Sequence, residues 1–157
     1  MTNDVFVLKV ALQDAKRIWR RIAIRGNQTL DDLHESIFDA FGRFDPHMYS
    51  FFFPERPTKS IQKLMDSPEV ICPFGAEHPG PLAELFGEEP PPNAAKARLD
   101  ELRLEPGQKF YYLFDFGDEW WHEIIVEQTE APRGDTKYPR VAEKRGESPP
   151  QYPEYEE

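Results

Sequence analysis

Alternation of apolar and polar residues organises the first 25 positions. In "VFVLKVAL" (5–12), Phe6, Leu8, Val10 and Leu12 fall on one face of an extended chain, because side chains of a strand alternate sides. In "RIWRRIAI" (17–24), Ile18, Arg20, Ile22 and Ile24 share one face, and Arg17, Trp19, Arg21 and Ala23 the other. The short "QDAK" between them suits a hairpin. The period then changes. Leu30, Leu33, Ile37, Ala40 and Phe41 form a stripe at helical spacing, with Thr29 as N-cap, Asp32 three residues on in a capping box, and Gly42 as the stop. "HMYSFFF" (47–53) predicts a further strand, ended by Pro54. "ARLDEL" (97–102) reads as a short strand or turn, and "EPGQ" (105–108) as a turn. Two strong strands follow, 109–116 and 120–128.

Proline sets the limits of this regular structure. None of the 16 prolines precedes Pro46, nine lie between Pro54 and Pro92, and five lie between Pro132 and Pro153. Because helix interiors and central strands reject proline, residues 75–96 should form a Pro/Glu-rich surface excursion with one helical turn at 82–86. For the same reason 131–157, and 143–157 above all, should be an irregular tail. The expected fold is therefore α+β: a single domain over 1–157, mostly an antiparallel sheet with one main helix packed on it. Its ββαβ opening is like that of a β-grasp core.

The last hairpin, "YLFDFGDEWWHEI" (112–124), concentrates carboxylates and a histidine. Its register decides what they can do. A two-residue loop pairs Phe116 with Glu119 and Phe114 with Trp121. A three-residue loop pairs Phe116 with Trp120 and Phe114 with His122, and sets Lys109 across from Glu127. The second choice collects Phe110, Tyr112, Phe114, Phe116, Trp120, His122, Ile124 and Val126 on one face, so pattern favours it. Asp115 and His122 then point to opposite sides of the sheet. The aspartates have a turn-stabilising reading. His122 reads as a hydrogen-bonded histidine at the edge of an aromatic core. The catalytic candidates are Asp115, Asp118, His122 and His34, with no metal or cofactor implied. No zinc, calcium or phosphate-loop spacing occurs.

Arg20, a cation on an apolar face, demands a partner, and Asp115 or Asp118 is the expected one. Arg17, Trp19, Arg21 and Arg25 form a basic stripe with one aromatic, which could stack and neutralise single-stranded nucleic acid or face Glu123 and Glu127. With Arg20, Trp120 and Trp121 they make up the candidate binding surface. Charge sharpens this reading. Six cations against two carboxylates lie in residues 1–25, yet the whole chain carries a net −10, which disfavours general nucleic-acid binding. Cys72 is the lone cysteine, and no run approaches the ~18 apolar residues of a membrane helix. A cytoplasmic protein without membrane attachment is expected, with a protein partner in view.

"IWRRI" (18–22), "TLDDLHESIFDAFG" (29–42), "YLFDFGDEWWHEI" and "YPRVAEKRGESPPQY" (138–152) together resemble the Ri-plasmid third-open-reading-frame family. Some members of that family carry a TnpR-type transposon-passenger label. Its signature falls here on Trp19, Arg20, Arg21, Leu33, His34, Ala40, Phe41, Gly42, Asp115, Gly117, Asp118, Trp120, His122 and Glu123. A resolvase-like label implies recombination, but the basic cluster holds no serine and no helix-turn-helix follows. Many members end in "PPED", where this chain has Gln151 and Tyr152 in "PPQYPEYEE". Three functions are left: an uncharacterised binding or accessory domain associated with mobile elements, a metal-assisted hydrolase built on the hairpin cluster, or a nucleic-acid binder built on the 17–25 stripe.

Overall fold

A computed structural model describes residues 4–152. Seven strands form one sheet: β1 (Val5–Leu12), β2 (Ala15–Arg25), β3 (Tyr49–Phe52), β4 (Glu69–Ile71), β5 (Lys109–Phe114), β6 (Trp120–Glu130) and β7 (Arg140–Arg145). Their spatial order is β4-β3-β5-β6-β1-β2-β7, and every neighbouring pair is antiparallel. The main helix, α1 (Leu30–Ala40), lies on one face. Three five-residue helices, α2 (Ile61–Met65), α3 (Pro73–Glu77) and α4 (Pro81–Leu85), occupy the Pro-rich middle of the chain. The α+β class and the strand-strand-helix-strand opening are as the periodicity predicts. Among the described residues no helix is long and apolar enough to cross a membrane.

The inward faces agree with the alternation. Leu8, Val10, Ile22 and Ile24 pack beneath Leu30, Leu33 and Ile37 of α1 and Phe41 at its C-cap, together with Phe51, Phe110, Tyr112 and Phe114. At the helix start Thr29 accepts from the Asp32 amide, and the Asp32 carboxylate accepts from the Thr29 amide, so two donors left free by helix geometry are satisfied. Gly42 ends the helix with φ +68°, a conformation that glycine adopts without steric cost. On the opposite face Phe52, Tyr111, Leu113 and Trp121 pack with Leu64 of α2 in a smaller apolar cluster.

Two expectations are corrected here. The hairpin β5–β6 pairs Phe114 with Trp120 and Tyr112 with His122, leaving a five-residue loop, 115–119. The register is two residues away from the expected one, which preserves the faces but moves Phe116 out to the turn, where it is 39% exposed. Lys109 accordingly stands across from Ile125, not Glu127. The tail is not irregular from 131 onward, because β7 pairs with β2 and closes that edge of the sheet. Five of the six β7 residues are exposed. A strand without a buried face carries no hydrophobic alternation, so no period announces it.

Candidate functional site

Arg20, His34, Phe41, Trp120 and His122 meet in a buried chain of contacts that crosses between sheet and helix. At one end, near the start of α1, Tyr49 donates its hydroxyl hydrogen to the Asp31 carboxylate. The Tyr49 ring stacks on His34 with centroids 3.8 Å apart. His34 Nδ1 lies 2.6 Å from the Tyr112 hydroxyl, and the Tyr112 ring sits 5.0 Å from that of His122. His122 Nε2 is 3.0 Å from Arg43 Nη2. A guanidinium has only donors. Arg43 therefore donates, Nε2 accepts, and the imidazole proton sits on Nδ1, facing the Tyr112 carbonyl at 3.3 Å.

Arg43 is buried without a carboxylate within salt-bridge distance among the described residues. Its Cζ instead stands 5.1 Å from the ring centroids of both Phe114 and Trp120 and 5.3 Å from that of Phe41. Aromatic faces attract a cation in this way, most strongly away from water. Phe41 also meets Arg20, whose Cζ is 4.9 Å from the same ring.

Arg20 does not pair with Asp115 or Asp118. Its Nε donates to Ala40 O at 2.8 Å, and its Nη1 donates to the carbonyls of Trp19, Arg145 and Gly146 at 2.9–3.1 Å. The cation thus sits at the C-terminal end of α1, where the helix dipole is negative and carbonyls lack partners. It ties that end to the close of β7.

Burial fixes the protonation states. Removal from water, helped by the Arg43 charge, lowers the His34 pKa to about 3 and pushes His122 well below the ordinary imidazole value. Burial also lowers Arg43 to about 10 and raises both Tyr49 and Tyr112. At neutral pH the interior therefore holds two neutral imidazoles beside the Arg43 guanidinium.

The two hairpin aspartates divide. Asp115 is buried and adopts φ +63°, which an Asp tolerates better than most residues. Its Oδ1 accepts from the amides of Gly117 and Asp118 at 3.0 and 3.2 Å. Asp118 is exposed at the tip. Beside Asp115 lies a polar rim that the sequence did not single out. The Tyr152 hydroxyl donates to Asp45 Oδ2 at 2.6 Å and lies 2.6 Å from His47 Nε2. His47 Nε2 is 3.5 Å from Asp115 Oδ2 and 3.6 Å from Asp45 Oδ2. The hydrogen bond to Asp45, with the charges of Asp115 and Asp118, pushes Tyr152 up to about 12. Gln151, buried beneath this rim, accepts from the amides of Phe44 and Asp45 and donates to Asp45 O. Position 151 thus fastens the tail to the loop that delivers Arg43.

The basic stripe is largely occupied. Arg21 binds Glu127 at 2.6 Å and also Glu143. Trp19 is flanked by Lys9 and Arg21, 5.0 and 4.8 Å from its ring centroid. Arg25 stands over Tyr138, and of the stripe's arginines Arg17 is the exposed one, with no carboxylate partner among the described residues. Glu123 is buried between Lys16 at 2.9 Å and Lys109 at 3.7 Å. Trp121 belongs to the smaller apolar cluster, and Trp120 covers Arg43.

His34 and His122 therefore meet around Tyr112, but inside the core, and Asp115 and Asp118 do not join them. Among the described residues no group of three His, Cys, Asp or Glu side chains is placed to hold a metal ion. The surface clefts lie elsewhere. One of about 470 Å³ is lined by Gln13, Lys16, Lys59 and Trp121, and one of about 310 Å³ lies between α1 and β7. Arg43, Tyr112 and Tyr49 complete the interior network. The one sequence sign of Arg43 is its place directly after the helix-stopping Gly42.

Two predictions follow from this geometry. Asp115→Ala, which removes two hydrogen bonds from a residue at positive φ, should cost about 2–4 kcal/mol in denaturant unfolding. Asp118→Asn should stay within about 0.5 kcal/mol of the parent. Equal effects would contradict the division of roles.

The second prediction concerns acid. An imidazole whose native pKa is depressed takes its proton first in the unfolded chain. Its stabilisation is complete above 6.5 and is lost as pH falls toward about 3. Each such group contributes about 1.4 kcal/mol per pH unit in that window. Unfolding free energy should therefore drop by about 3–4 kcal/mol between pH 6.5 and about 5 with both imidazoles present. His34→Phe should remove about half of that slope, and an unchanged slope would count against a buried neutral His34.

The comparisons with known proteins agree with this architecture. The profile of the plasmid pRiA4b ORF-3-like protein family matches residues 4–152. An uncharacterized protein, y4hQ, from Sinorhizobium fredii is 29% identical over 152 residues, covering 96% of this chain and 67% of that protein. The crystal structure of MM3350, a protein of unknown function from Methanosarcina mazei Go1, superposes with a TM-score of 0.69 at 21% identity. The match covers 96% of this chain and 74% of that one. At that identity the likeness speaks for the fold alone. With the profile spanning nearly all of it, the chain belongs to the plasmid pRiA4b ORF-3-like family.

Proposed function

We propose that this chain is a cytoplasmic, non-catalytic binding or accessory domain that acts through a protein partner. Its association with mobile elements, including the TnpR-type label, is a proposal of the same kind. One observation carries the reading: the signature residues with catalytic chemistry are spent on holding the domain together. His34 and His122 are buried and neutral, and each is hydrogen-bonded inside the core. Asp115 is engaged by its own turn. A general base must reach the proton it removes; His122 is fully buried, and His34 is 8% exposed with its Nδ1 held by Tyr112.

The hydrolase reading would need His34, His122 and an aspartate in one open cleft. The nucleic-acid reading would need the 17–25 stripe unpaired, whereas Arg21 is engaged by two glutamates. Neither is favoured by the geometry.

The test is a thermal-shift and calorimetric titration of the purified chain with Zn²⁺, Mn²⁺ and Mg²⁺, followed by anisotropy with a fluorescent single-stranded oligonucleotide across salt. The proposal expects no saturable metal binding and no salt-dependent oligonucleotide binding. A saturable metal isotherm abolished by His34→Phe or His122→Gln, in variants that remain folded, would move the assignment to the hydrolase. A steep salt slope lost on Arg17→Glu would move it to nucleic acid.

A further inference from the structure

Between Leu64 and Ala95 the chain carries six carboxylates and no Lys or Arg. Within this acidic stretch, Leu82, Leu85 and Phe86 are 70%, 75% and 71% exposed. Their i, i+3, i+4 spacing along and just beyond α4 places them on one side. No residue of α4 is buried. So short a helix gains little from its own backbone bonds. An apolar stripe left in water is also a surface that further burial stabilises. Anchors at this spacing are the donor half of a helix-in-groove contact.

The receiving half is on the same chain. A cleft of about 420 Å³ between the end of β3 and the start of β4 is lined by Pro54, Pro57 and Pro68 together with Arg56, Lys63 and one carboxylate, Glu55. Neither cation is paired with a carboxylate among the described residues. Three prolines with two unpaired cations against the one Glu55 carboxylate leave the cleft net positive, which complements an apolar stripe followed directly by Glu88 and Glu89. The stripe does not fill the cleft of its own chain, since its three side chains stay exposed.

We propose that the α4 stripe of one copy docks in the 54–68 cleft of a second copy, and that the reciprocal contact closes a two-fold dimer. A two-fold axis uses each half twice and leaves neither open, so assembly stops at two. The local opposite charges set the pairing against the general repulsion of two chains that each carry a net −10.

Sedimentation velocity on the full chain, from low to high micromolar concentration, tests this. The expected result is a reversible species of twice the 18.3 kDa chain mass. Leu85→Glu should hold the protein monomeric at every concentration, with the parent's melting temperature at low concentration, where both are monomers, because Leu85 is already in solvent there. The double reversal Arg56→Glu with Lys63→Glu should do the same. Adding Glu88→Lys and Glu89→Lys to that variant should restore the dimer. A parent that stays monomeric throughout, or a dimer that survives Leu85→Glu, overturns the proposal. Either result leaves the accessory-domain reading to its own titrations.

Discussion

The hydrogen bond from Arg43 to His122 is the constraint on which the rest of the interior depends. A guanidinium withdrawn from water without a carboxylate is costly, and the fold offsets that cost in two ways. Three aromatic rings face the cation, and a neutral imidazole accepts one of its protons. That acceptance requires His122 to keep its proton on Nδ1. The positive charge in turn disfavours protonation of both His122 and His34. One interaction thus sets a tautomer and adds to the burial that keeps both histidines neutral.

From this point the network runs to both ends of α1. Through Tyr112, His34 and Tyr49 it reaches Asp31 in the first turn. Through Phe41 and Arg20 it reaches the last carbonyls of the helix and the end of β7. A satisfied buried hydrogen bond adds about 1 kcal/mol, whereas orphaning one partner costs about 1–3 kcal/mol. The members are therefore worth most as a set. Arg20, His34 and His122, far apart in the chain, thus meet in one interior network.

Much of this was legible from sequence, for definite physical reasons. Alternation fixed the faces of β1, β2, β5 and β6, and the Thr29–Asp32 capping box fixed the start of α1. Alternation repeats every two residues, however. It specifies the parity of a register and cannot detect a slip of two, which is why the hairpin loop came out longer than expected. The partners of Arg20 were illegible because they are backbone carbonyls, and every residue has one. β7 escaped because it is exposed, and Arg43 because nothing local marks a cation that a distant histidine will receive. Gln151, which fastens the tail to the loop carrying Arg43, likewise depends on backbone groups more than 100 positions away.

The neutral state of His122 is what lets it accept the Arg43 hydrogen bond. Long-range ¹H–¹⁵N correlation spectra of the imidazoles report tautomer and charge for each histidine, and His122→Gln assigns the signals. The prediction is a neutral ring protonated on Nδ1, with Nε2 bare and hydrogen-bonded, unchanged from about pH 8 down to about pH 5. A His122 signal that titrates near the ordinary value of 6.5, or that carries its proton on Nε2, would contradict it.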